Sequence, residues 1–123
     1  LLADEYRTMR DYSRARTYAY KSAELRPNDG NPYILIGDLY AASADMCGDD
    51  EIGKKAAYWA AVDKYYKAKN IDPSLEQAAN ERIYSYSRAF PAVERLFFHD
   101  LKEGESYTVG CWINETTTVR AAR

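Results

Sequence analysis

Apolar residues recur with helical rather than alternating spacing through most of the chain, and one phrase repeats within that pattern. Tyr20-Lys21-Ser22-Ala23-Glu24-Leu25-Arg26-Pro27 returns 46 residues later as Tyr66-Lys67-Ala68-Lys69-Asn70-Ile71-Asp72-Pro73. Upstream of each proline stands an alanine at the same offset, Ala15 and Ala61. Each unit is therefore predicted to end in a helix stopped by proline, whose ring and missing N–H prevent continuation. The helical pattern resumes through Leu75, Ala78, Ala79, Ile83 and Tyr86 and breaks at Phe90-Pro91. A short helix follows, with Pro91 in its first turn and Val93, Leu96, Phe97 and Leu101 as its apolar positions. Phe98 and Leu101 are expected to close that end.

The period then changes. Ser106 to Ile113 and Thr116 to Val119 are β-branched and aromatic, so two strands joined by a tight turn at Asn114-Glu115 are predicted. Asn-Glu is a weaker turn signal than Asn-Gly, which leaves the register open. A lone ribbon is marginal in water, so this hairpin must pack on the helices, pair with a strand elsewhere, or augment a partner.

The unit between the two phrases reads Tyr33-x-x-Ile36-Gly37-x-x-Tyr40 and then Ala61-x-x-x-Tyr65 before Pro73. This resembles the tetratricopeptide (TPR) repeat. The resemblance implies that Gly37, Ala61 and Ala68 are small residues facing the large Tyr33, Ile36, Tyr40 and Tyr65 across a close helix crossing. The same register puts Leu2, Ala3 and Tyr6 on a preceding first helix that lacks its opening turn, so more protein is expected upstream. The fold class expected is mainly α. It comprises antiparallel helix pairs of a TPR-like α-solenoid over residues 1–103 and a β-hairpin or extended tail over 104–123. Strict counting puts Arg82 and Ile83 where the family has aliphatic and small residues, so that helix is expected to cap the array.

Against the usual 34-residue repeat the middle unit carries an insertion of about twelve residues. It holds Asp45-Met46-Cys47-Gly48-Asp49-Asp50-Glu51. Gly48 is expected to end one helix, and Asp49 or Asp50 to cap the next, with Glu51 favoured near its N-terminal dipole. Calcium is the alternative, but the spacing does not match an EF-hand loop. The segment Tyr58-Trp59-x-Ala61-x-Asp63-x-Tyr65 and the tail from Phe90-Pro91 through Arg120 also resemble exported TPR proteins of Gram-negative bacteria. That resemblance implies a periplasmic or cell-envelope location, with the cytoplasm as the alternative, and carries no assigned chemistry.

Composition narrows the function classes. With 29% charged and 46% hydrophobic residues the chain is globular, and no run of about 18 apolar residues marks a membrane span. A net charge of −2 gives no electrostatic reason to bind nucleic acid. Arg7, Arg10, Arg14 and Arg16 are interleaved with Asp4, Glu5 and Asp11, as on a solvated helix face. The 12 tyrosines are read mainly as packing residues, with recognition as their second use. The two cysteines, Cys47 and Cys111, would form a disulfide in an exported protein, closing a loop of about 65 residues worth roughly 4 kcal/mol. In a reducing cytosol they would be free thiols.

No motif calls for a metal or cofactor. His99, the one histidine, has Asp100 beside it but no nucleophile at recognisable spacing, and no phosphate-binding Gly loop occurs. It is read as a helix C-terminal residue meeting the negative dipole end. A non-catalytic scaffold for a protein or peptide partner remains, with self-association open. The TPR resemblance implies a concave groove lined by Asp4 and Arg7, by Asn31, Ile34, Asp38 and Ala41, and by Gln77, Asn80, Tyr84 and Ser87. Amides there suit an extended peptide. The basic clamp for a peptide carboxylate is unmatched, since Lys is absent from these positions. The alternative is a structural subunit whose C-terminal hairpin docks on another protein.

Overall fold

Capping residues and prolines set the helix ends. The structure, a computed structural model, describes residues 2–122. Helix α1 (Leu2–Thr8) turns at Arg10, which has a positive φ of 60°, into α2 (Tyr12–Leu25). The Asp11 side chain caps α2 by accepting from the Arg14 N–H. α3 (Asn31–Ala42) has Pro32 in its first turn, where no N–H is needed. α4 (Glu51–Ile71) is capped by Asp50, whose carboxylate accepts from the Gly53 N–H at 2.7 Å. A 3-10 turn at Pro73–Leu75 leads into α5 (Glu76–Ser87), and α6 (Val93–Phe98) follows. Strands β1 (Ser106–Val109) and β2 (Glu115–Thr118) form an antiparallel pair in which Val109 faces Glu115. The chain is thus mainly helical with a small C-terminal sheet, as its sequence predicts.

The first four helix contacts run in sequence order, α1 on α2, α2 on α3, α3 on α4 and α4 on α5. Small residues sit opposite large ones at the closest approach. A Cβ added to Gly37 would stand 2.5 Å from the Tyr65 ring, so glycine alone lets α3 and α4 meet there. Ala61, Ala68, Ile36, Tyr40 and Tyr65 are fully buried, and Ala15 and Ala19 form the buried stripe of α2. Asp72 ties the α4 end to the α3 start, accepting from Ser74 and, at 3.1 Å, from the Gly30 N–H. The Ser74 hydroxyl first and the Gly30 N–H second hold its carboxyl below the ordinary range.

Three local expectations are corrected. α3 ends at Ala42 rather than Gly48, because the Ser43 hydroxyl turns back onto the Leu39 and Tyr40 carbonyls and a 3-10 turn, Ala44–Met46, follows. Gly48 serves packing instead, since a Cβ there would meet the Gly53 backbone at 2.5 Å. Phe98 does not close the end of the helices: Val93, Phe97 and Phe98 are exposed, and it is Leu96 that is buried. The strands are shorter than predicted. Positive φ at Cys111 (66°) and Asn114 (43°) ends the extended run, leaving residues 110–114 as a loop that turns Trp112 and Ile113 toward the helices.

That loop and β2 attach the sheet to the helical body. Cys111 is disulfide-bonded to Cys47, with Cα atoms 5.1 Å apart. The Arg16 guanidinium donates to the Ile113 and Trp112 carbonyls at 2.7 and 3.0 Å, and the Trp112 indole N–H donates to the Ser43 hydroxyl at 2.9 Å. Thr117 and Arg120 both bind Asp63 of α4, and the Trp59 indole donates to the Arg120 carbonyl at 2.9 Å. Val109, Ile113 and Val119 are buried, so the ribbon is stabilised by the helices and not by itself.

Two phenols are buried within these contacts. Burial first, and the hydrogen bond to Asp38 second, push the Tyr65 hydroxyl well above its ordinary value of 10.0. Burial likewise raises Tyr40, although Arg16 opposes it. The folded state then keeps protons that the unfolded chain releases, so stability is full below pH about 10 and falls as pH rises beyond it. In an alkaline titration followed by phenolate absorbance, these two rings should stay silent until the chain unfolds. Phenylalanine at both positions should remove that late step.

Candidate functional site

The residues expected to line one groove divide among three settings. Ile34 is only 8% exposed and belongs to the core, out of reach of a ligand. Asp38 is engaged within the fold: it accepts the Tyr65 hydroxyl at 2.6 Å and pairs with Arg82 of α5 at 3.0 Å. Arg82 of the next helix supplies the guanidinium that takes the carboxylate. Burial opposes the charge of Arg82, while the hydrogen bond and field of Asp38 raise its pKa beyond the ordinary value.

Gln77, Asn80 and Tyr84 remain together on one exposed strip of α5, with Pro73, Ser74, Glu76 and Glu81. Ser87 continues it beside Ile83 and Arg88. Tyr84 is 66% exposed, with the Arg88 guanidinium 5.5 Å from its ring centre. Asn80 accepts from the Lys69 ammonium at 2.7 Å, which fixes the amide against α4. The strip borders an open space of about 700 Å³.

Asp4 and Asn31 lie at another place, less open to solvent. α1, α2 and the start of α3 enclose a groove of about 730 Å³, lined by Leu2, Ala3, Tyr18, Leu25, Pro32 and Leu35 among apolar side chains. Asp4, Glu5, Lys21, Ser22, Arg26, Asp29 and Asn31 supply its polar wall. The three-residue connection makes α1 and α2 an antiparallel pair, and Tyr6 stacks on Tyr18 at 5.5 Å between centroids. Leu2 and Leu25 are 48% and 82% exposed, which is apolar surface that water covers at a free-energy cost. Asn31 is turned to Asp29, which accepts from both its backbone and side-chain N–H groups. Arg7 is exposed on α1 but does not line this groove.

Of the residues named by register counting along first helices, Asp4 and Asn31 lie on this groove, which is also lined by Tyr18, Lys21, Leu25 and Arg26 of α2. The repeated phrase held the clue, since Leu25 is an apolar residue at the end of a helix just before proline. His99 caps α6 and reaches the start of α4: its Nε2 lies 3.5 Å from Glu51, which Arg95 also pairs. The Arg95 hydrogen bond holds the Glu51 carboxyl below its ordinary range. No described helix is long and apolar enough to cross a membrane. Among the described residues no cluster of three or more His, Cys, Asp or Glu is placed to hold a metal ion. Comparison with protein-family models, curated proteins and solved structures gave no match to this chain.

Proposed function

We propose that this chain is part of a TPR-like helical-repeat scaffold that binds a peptide or protein segment, without catalysis, in the groove of α1, α2 and α3. The observation that carries the reading is the groove itself. An apolar floor with exposed Leu2 and Leu25 beside a rim of charged and amide groups is the composition of a recognition site rather than of a solvated surface. The sequential helix contacts and the Gly37–Tyr65 crossing are compatible with a helical repeat. An exported setting, the cell envelope on the resemblance noted above, accords with a disulfide between the only two cysteines. The alternative, docking through the hairpin, has less to rest on, because the hairpin places Val109, Ile113, Thr117 and Val119 in contact with its own helices.

The test is selection of binders from a random peptide library displayed on phage against the oxidised protein, with affinities then measured by fluorescence anisotropy. Leu25→Asp is expected to weaken selected peptides at least tenfold, while Tyr84→Ala leaves them unchanged. Leu25 is mostly exposed, so the substitution leaves the core intact. Peptides weakened only by Tyr84→Ala would move the site to α5, and peptides insensitive to both would remove the groove reading.

A further inference from the structure

The loop that fastens the hairpin carries a second chemical signal. Asn114-Glu115-Thr116 is an asparagine followed two positions on by a hydroxyl residue, with a residue other than proline between. That is the acceptor pattern for N-linked carbohydrate, which belongs on surface loops of exported chains. Asn28, Asn31, Asn70 and Asn80 lack it, since Gly30, Tyr33, Asp72 and Arg82 stand two positions after them.

The fold turns the two residues of this pattern outward. Ile113 is buried with its carbonyl held by Arg16, Glu115 faces Lys64 and the Tyr40 hydroxyl, and Thr117 is buried against Asp63. Asn114 and Thr116 alternate with these three, and both are exposed. Asn114 has a positive φ of 43°, a conformation that asparagine adopts more readily than most residues with a side chain. Among the described residues its carboxamide enters no hydrogen bond, whereas Asn31 and Asn80 have theirs engaged with Asp29 and Lys69. The same loop holds Cys111 in its disulfide with Cys47, a bond that forms and persists in oxidising compartments. Sequence pattern, exposure and disulfide are three separate observations that meet within a few residues.

We infer that Asn114 is the attachment point of an N-linked glycan. In the transfer the carboxamide nitrogen attacks the anomeric carbon of a diphosphate-activated sugar. The N–C bond forms as the C–O bond to the diphosphate breaks, the electron pair leaves with the diphosphate, and the nitrogen gives one proton to a base of the transferase. Nothing is oxidised or reduced. None of residues 110–116 lines the α1–α3 groove, so the inference is independent of peptide binding there. A bulky, hydrated glycan at this loop would instead obstruct docking through the end of the hairpin.

The test is peptide mapping of the protein purified from its source organism, with electron-transfer fragmentation, which keeps sugars attached. After reduction and cleavage at Lys102 and Arg120, the peptide 103–120 should be heavier by one or more sugar residues, with the increment on Asn114. Expressed in the same organism, Asn114→Gln and Thr116→Ala should each lose the whole increment, while Thr116→Ser keeps it. The last two variants change the same exposed position, so loss with alanine alone reports the transferase's need for a hydroxyl and not a failure to fold. An unmodified Asn114 in the native peptide would overturn the inference. Sugar found on Thr116, Thr117 or Thr118 instead would also overturn it, as would an increment that survives Thr116→Ala.

Discussion

Unfolding in urea should shift by about 4 kcal/mol when the Cys47–Cys111 disulfide is removed, whether by reduction or by the double substitution Cys47→Ser/Cys111→Ser. The two cysteines are separated by 64 positions, so the bond closes more than half of the chain and restricts the unfolded ensemble strongly. The bond also acts in the folded state. A two-stranded ribbon does not hold itself in water, and its loop is where this one is fastened to the turn after α3. Loss of the bond should free residues 110–114 first, read as faster amide exchange there, while α1, α2 and α3 keep their protection. The peptide binding proposed for the α1–α3 groove should therefore survive at temperatures where the reduced protein is still folded. Coincident urea curves for the oxidised and reduced protein would show that the remaining contacts of the loop are sufficient alone.

The elements that were legible are those encoded by local chemistry. Pro27 and Pro73 mark the ends of α2 and α4, Asp50 announces the start of α4, and the Gly37, Ala61 and Tyr65 pattern specifies a close crossing that the structure contains. What was not legible depends on distant residues. Cys111-Trp112-Ile113 has the composition of a strand, yet its conformation is decided by a disulfide to Cys47, a hydroxyl on Ser43 and a guanidinium on Arg16. Tertiary contacts override β propensity there. The groove shows the same division. Consensus register puts Asp4 and Asn31 on exposed helix faces because helix positions are periodic, but it assigns Ile34 and Asp38 to the surface when α3 is buried on most sides. Periodicity tells which residues share a face and not how many neighbours cover the helix.

Arg16 is the sharpest case, because its sequence context reads as a solvated, charge-interleaved helix face while its position is a junction. Its guanidinium donates to the Tyr40 hydroxyl at 3.0 Å and to the Ile113 and Trp112 carbonyls, with its carbon 4.8 Å from the Trp112 ring centre. Arg16→Met keeps the length of the stem and removes the donors. Two loop carbonyls then lose their charged partner in a half-buried setting, and a loss of about 2–4 kcal/mol in urea unfolding is expected. Arg16→Lys should recover little of it, since three acceptors spread over two chain segments fit a planar fork and not a single ammonium. Tyr40 supplies a second readout: its buried phenol ionises only when the chain unfolds, so the destabilised variant should release that late phenolate absorbance at a lower pH than the parent. Combined with loss of the disulfide, Arg16→Met should cost less than the sum of the two, because both hold the same loop and a loop already released cannot be released again. Full additivity would mean that Arg16 stabilises the Tyr40 environment and the disulfide the loop, as separate attachments of one hairpin.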